Sequence, residues 1–236
     1  MNITVIYASG RGGRSCSRGI AGMLIDELLK EKDGEVFEFE VPDDMPHICR
    51  GCGACINGYE EKCGGYAAMQ PVIAAMERSD VIIFSSPVYV YHVPGQMKTL
   101  LDHMAYRWMV HRPDLSFMKK QAVVITAAAG GGMRSAAKDI KDSTQYWGIA
   151  RTHVITQSVW GHNWNDLPEK FRKKTEKNVR KTAADIKRRE RRLTPSVKVK
   201  CLFYLYRALH IHRKMTATDD DYWYEKGYNT GRPWDR

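Results

Sequence analysis

No apolar run in this 236-residue chain approaches the roughly 18 residues that a membrane-crossing helix needs. Residues 1–7 have neither a basic start nor a small-residue cleavage site, so no secretory leader is visible. Internal repeats and low-complexity tracts are also missing. These absences predict a soluble, cytoplasmic protein with one generous domain and an appendage, long enough to bury a real core. An acidic excess is missing too, since 37 Lys and Arg face 27 Asp and Glu for a net charge of +10. The surplus is local. Residues 1–165 carry 17 basic and 17 acidic side chains, whereas residues 166–236 carry 20 and 10. The basic character therefore belongs to the appendage. Acids and apolar residues interleave with the bases there, which suits internal packing better than docking on nucleic acid or an anionic membrane.

What is present reads as alternating strands and helices. Residues 3–8, 35–40, 80–85, 121–127 and 152–158 have strand character, and Val81-Ile82-Ile83-Phe84 is apolar on both faces, as a covered central parallel strand must be. Helical spacing runs through residues 66–78, 95–109, 135–147, 166–193 and 197–215. The pattern predicts an α/β fold, a doubly wound five-stranded parallel sheet with a helical, basic C-terminal extension. We expect a main domain over 1–193, with a cysteine-rich loop at 47–65, and an extension over 194–236. The last twenty residues hold too many aromatics for a loose tail and are expected to dock.

In an open parallel sheet the chemistry lies beyond the carboxyl ends of the strands. The first such loop, Ser9-Gly10-Arg11-Gly12-Gly13-Arg14-Ser15-Cys16-Ser17, combines glycines, hydroxyls and a following helix N-terminus, which together suit a phosphate. It lacks the third glycine of a dinucleotide fingerprint, because Ser15 stands there, and it lacks the Gly-Lys-Ser/Thr of a P-loop. A mononucleotide is the better fit. The loop after the third strand, Ser86-Pro87-Val88-Tyr89-Val90, can wall a flat ring, and the small residues Ala127-Ala128-Ala129-Gly130-Gly131-Gly132 after the fourth let a ligand approach the backbone.

At these loops the chain resembles the NAD(P)H-dependent FMN reductases and, more narrowly, the iron–sulfur flavoproteins of the flavodoxin-like superfamily. The similarity covers about residues 1–160. It is most specific in Ser86-Pro87-Val88-Tyr89 and in Pro94-Gly95-Gln96-Met97-Lys98-Thr99-Leu100-Leu101-Asp102. The resemblance implies that Ser9, Arg11, Ser15, Cys16 and Ser17 surround the FMN phosphate. It implies that Pro87, Val88, Tyr89 and Val90 line the ring and that Ala128, Gly130 and Gly131 close its other side. It departs from the family pattern at Ser15-Cys16, where Asn-Thr or Ser-Thr is common. The implied activity is FMN-dependent electron transfer from NAD(P)H to a quinone, nitro compound, flavin or protein acceptor, in a homodimer or homotetramer. The alternative is an iron–sulfur flavoprotein that carries electrons from a ferredoxin-like donor. No catalytic side chain is named, because hydride transfer needs alignment more than an acid or base.

Cys49, Cys52, Cys55 and Cys63 fall within 15 residues. Three of them follow at three-residue steps, a spacing that wraps a loop around a [4Fe-4S] cubane and that resembles the iron–sulfur flavoprotein motif. Zinc, which favours two separated cysteine pairs, and a metal-free loop stay open beside it. Arg107 and Arg112 are candidates for the phosphate of NAD(P)H or for a solvated helix end, and Asp102 for a structural contact below the flavin loop.

Overall fold

The computed structural model describes residues 1–44, 47–160 and 162–235. In chain order the elements are β1 Ile3–Tyr7, α1 Cys16–Leu29, β2 Val36–Glu40, a short α2 Val41–Asp44, α3 Tyr66–Arg78, β3 Val81–Pro87, α4 Gly95–His103, β4 Gln121–Ala128, α5 Met133–Tyr146, β5 Arg151–Ser158, α6 Glu169–Arg189, α7 Val197–Ile211 and α8 Ala217–Glu225. The strands form one all-parallel sheet in the order β2-β1-β3-β4-β5. The Val-Ile-Ile-Phe strand is its centre, as the two-faced apolar run predicts. The fold is the doubly wound flavodoxin-like α/β architecture expected.

Alternation along β1 divides the core. Ile3, Val5 and Tyr7 face one way, against Ile20, Leu24 and Leu28 of α1 and Val179, Ala183 and Ile186 of α6. Ile6 faces the other way, into a layer with Ile73 and Met76 of α3, Leu100 of α4 and Ile140 of α5. Both faces of β3 and β4 are thus buried, and burying each large aliphatic side chain contributes roughly 1.5–3 kcal/mol.

Three helices are shorter than their periodicity predicts, among them the one expected over 197–215, which ends at Ile211. The helix expected over 95–109 ends at His103 because tertiary hydrogen bonds capture the next turn: Trp147 Nε1 donates to Met104 O at 3.2 Å and Met109 N donates to Tyr146 O at 2.7 Å. The helix expected from 166 begins at Glu169, since Pro168 disfavours helical backbone in the residue before it.

The extension docks through a third apolar layer in which Met109, Leu115 and Met118 meet Val199, Phe203 and Trp223. Trp223 stacks between Phe203 and His210, and His210 Nδ1 donates to Asp220 Oδ1 at 2.7 Å. Burial pushes the His210 imidazole below its ordinary value, against the pull of Asp220. The unfolded chain therefore takes up this proton first as pH falls through about 6.5. The group's contribution to stability is complete above that pH and declines below it, by at most about 1.4 kcal/mol per pH unit. Urea unfolding between about pH 7 and 5 should show this slope, and His210→Gln should flatten it.

Candidate functional site

The carboxyl ends of β1, β3 and β4 bring the three loops together. Ser15 is the N-cap of α1, its Oγ accepting from Arg18 N at 3.4 Å and lying 3.1 Å from Ser17 Oγ. Ser9 Oγ accepts from Arg11 N at 3.4 Å. All three serines are buried. Ser15 and Ser17 stand at the first turn of α1, where helix N–H groups lack intrahelical partners and the dipole favours an anion, and Ser9 lies in the loop that leads to it. Gly10, Gly12 and Gly13 have open space where a side chain would project. Hydroxyls, helix N-terminus and open glycine backbone have the donor chemistry of a phosphomonoester site, so the residues present fit the FMN phosphate.

One segment that the periodicity did not single out frames this cradle. The segment after β5 folds back over it: Arg11 Nη2 donates to Asn163 Oδ1, Trp164 N donates to Arg14 O at 3.3 Å, and the Trp164 indole lies where a Gly19 side chain would be. Cys16 turns away from the loop. Its thiol donates to His162 O at 3.3 Å and packs with Ala127, Val159 and Leu167. Burial pushes this thiol up, with Arg11 pulling the other way. What Cys16 can offer an anion is its backbone N–H.

On the ring side, Val88 N donates to Ala127 O at 3.1 Å, which aligns the Pro87 loop with Ala128. Tyr89 and His92 exchange backbone hydrogen bonds of 2.9 and 3.0 Å across a two-residue turn in which Val90 and Tyr91 have φ of 47° and 68°. Such turns normally use Asn or Gly. Here the strain is held by His92 Nδ1 against Asp139 Oδ2 at 3.0 Å and by the Tyr91 ring over Gly131. Pro87 and Val88 are half-buried, whereas Val90 is 94% exposed at the turn's tip. Gly130 and Gly131 are exposed and Ala128 is buried.

The four cysteines of the 47–65 loop line one cavity of about 460 Å³, together with Asp102 and His103. Burial pushes the Cys55 thiol up, and Cys63, Cys49 and Cys52 push it further, so each of the other three thiols acts on it. Cys63 Sγ lies 3.5 Å from His103 Nδ1, and His103 Nε2 donates to His47 O at 2.7 Å. Among the described residues, no three His, Cys, Asp or Glu side chains converge on a point that a single metal ion could occupy. Asp102 pairs with Lys98 on the rim of this cavity.

Arg107 and Arg112 correct the expectation made for them. Neither is a solvated helix end. Arg107 pairs with Glu77 at 2.8 Å, and Arg112 is buried among Cys55 O, Ile56 O, Glu60 and Asp219. Both pair with carboxylates of this chain, Arg112 with Glu60 and Asp219 from within the protein.

With this geometry in view, the profile of the NADPH-dependent FMN reductase family matches residues 1–166. The chain belongs to that family. An iron-sulfur flavoprotein of Methanosarcina thermophila is 28% identical over 178 residues, covering 72% of this chain and 85% of its own length. One from Archaeoglobus fulgidus is 34% identical over 115 residues, but this chain spans only 50% of its length. An FMN-dependent NADH:quinone oxidoreductase of Pelagibacter ubique is 24% identical over 197 residues, covering 76% of this chain and 98% of its own. Among solved structures, an FMN-dependent NADH-azoreductase of Bacillus anthracis in complex with FMN superposes with a TM-score of 0.62 at 13% identity. It covers 79% of this chain and 99% of its own, a likeness of fold. No helix among the described residues is long and apolar enough to cross a membrane.

Proposed function

We propose that the chain is an FMN-dependent NAD(P)H oxidoreductase that passes electrons to a quinone, nitro compound, flavin or protein acceptor, as a cytoplasmic homodimer or homotetramer. The observation that carries this reading is the loop from Ser9 to the head of α1, where the buried Ser15 and Ser17 hydroxyls stand at a helix N-terminus in a chain of the FMN reductase family. FMN, when bound, would supply the redox chemistry, taking hydride from a nicotinamide and handing electrons on. The chain's own part is to bind and orient. Ser9, Ser15 and Ser17 with the backbone of Cys16 would hold the phosphate, and Arg11, tethered by Asn163, would neutralise it. Pro87, Val88 and Tyr89 would wall the ring, with Val90 extending that wall at its exposed tip. Ala128, Gly130 and Gly131 would close the opposite side.

A second reading adds a [4Fe-4S] cluster on Cys49, Cys52, Cys55 and Cys63, which would relay electrons singly. It is favoured by the four cysteines lining one cavity and by the similarity to two iron-sulfur flavoproteins.

One preparation tests both readings. Anaerobically purified protein should show resolved flavin bands that bleach on adding NADH or NADPH, and iron and sulfide assays should report about four of each per chain. Protein that stays colourless after FMN addition overturns the first reading, and flavin bands without iron overturn the second. A flavin inert to both nicotinamides but reduced by ferredoxin would make the chain an electron carrier instead.

A further inference from the structure

We propose that the C-terminal segment is a clamp on the cysteine loop, in which Asp219 holds the Arg112 guanidinium against the backbone that carries the thiols. The consequence drawn for the cluster rests on the second reading above, whereas the clamp itself stands on the contacts that follow.

Arg112 is buried between two segments far apart in sequence, and every one of its five N–H groups is used. Nε and Nη2 donate to Glu60 Oε1 at 3.1 and 2.8 Å, and Nη2 also donates to Cys55 O. Nη1 donates to Ile56 O at 3.0 Å and to Asp219 Oδ1. A planar fork of fixed geometry thus fixes two consecutive carbonyls of the loop, at the third of its four cysteines. Lysine, with a single ammonium, has no equivalent of that fork.

Asp219 is the far jaw and is wholly buried. Its second carboxylate oxygen lies 2.9 Å from His111 Nδ1, and its backbone N–H is capped by Thr216 Oγ1 at 3.2 Å. The helix that carries it is fixed by Trp223, whose Nε1 donates to His111 O at 2.8 Å. A second contact joins helix and loop: Gly58 has φ +82°, and a side chain there would come within 2.8 Å of Thr218 Cγ2. Glycine gives the loop its left-handed turn here and leaves room for the Thr218 methyl of α8.

A buried ion pair is a poor source of stability, because desolvating both charges offsets most of their attraction. Its value here is position. Asp219 lies outside residues 1–166, the part that the family profile matches. That gives a role to the acidic, aromatic C-terminal run, which the flavin site does not use. Asp219 acts through Arg112 and is a positioning residue.

The test compares wild-type protein with Asp219→Asn, which keeps the side chain's shape and removes its charge, and with Glu60→Gln, which alters the more exposed partner of Arg112. Amide exchange followed by mass spectrometry should speed up in residues 53–60 in both variants, more so in Asp219→Asn, with β1, β3 and β4 unchanged. In reconstituted protein, iron should be lost to a chelator about 10- to 100-fold faster in Asp219→Asn, the usual cost of removing a group that supports a metal ligand. FMN content should stay at the wild-type level, and the cluster's midpoint potential should move upward, since a nearby negative charge has gone. Wild-type exchange in residues 53–60 of Asp219→Asn overturns the proposal. So does joint loss of FMN and iron in both variants, which would make the contact a general support of the fold. If wild-type protein holds no iron at all, the cluster reading falls while the exchange comparison still decides the clamp.

Discussion

Gly132→Ala should cost about 2–5 kcal/mol of stability and weaken FMN binding by about tenfold or more. Gly132 is the N-cap of α5 and has φ +85°, a conformation that a side chain strains. A β-carbon there would lie 2.6 Å from Tyr91 Cα and 2.8 Å from Val88 Cγ1. The first of these is backbone and cannot swing aside, so relief requires moving the Tyr89–His92 turn or the start of α5. Either shift opens the gap between the two loops proposed to hold the flavin ring. Gly131→Ala is the control. Its β-carbon would meet only the Tyr91 ring, at 3.3 Å, and its φ is not in the left-handed range, so a stability change below about 1 kcal/mol is expected. Urea unfolding measures the first quantity and quenching of FMN fluorescence the second, and equal losses of stability at the two glycines would contradict this account of the turn.

Ser15→Asp should separate folding from flavin binding. Aspartate caps a helix as well as serine and adds a charge that suits the dipole, so the ligand-free protein should unfold at the same temperature or higher. The same charge would stand where the FMN phosphate is proposed to lie. Two like charges about 4 Å apart repel by about 2–4 kcal/mol at the effective dielectric of a protein surface, a loss of about 30- to 1,000-fold in FMN affinity. Added salt should recover only part of it, because Ser15 is buried. A variant that binds FMN like wild type would move the phosphate to another loop.

Several parts of this arrangement were legible in the chain because they depend on neighbours in sequence. The central strand announces itself through four consecutive apolar residues, Val81 to Phe84, which only a doubly covered position requires. The phosphate cradle is readable because glycines, serines and a helix start follow one another between Ser9 and Ser17. The docking of the last twenty residues follows from their aromatics, which have no place in a solvated tail.

Other parts were not legible because they join distant residues. The Tyr89–His92 turn carries no Asn-Gly signal, and its positive φ angles are imposed by Asp139 and the glycine loop. The resemblance implies Cys16 at the phosphate, whereas apolar residues from β4 and the segment after β5 draw its side chain inward. Arg112 suggested an exposed phosphate ligand until Asp219, 107 residues further on, came to rest against it.

By itself, then, the sequence determined the α/β alternation, the loop that suits a phosphate and the set of four thiols, since strand pattern, turn composition and residue spacing are local properties. Only the tertiary structure decided which side chains those loops expose, that the four cysteines face one cavity, and that a buried arginine ties them to the C-terminal helix. Those contacts depend on burial and on charges brought together across the chain, which local pattern does not encode.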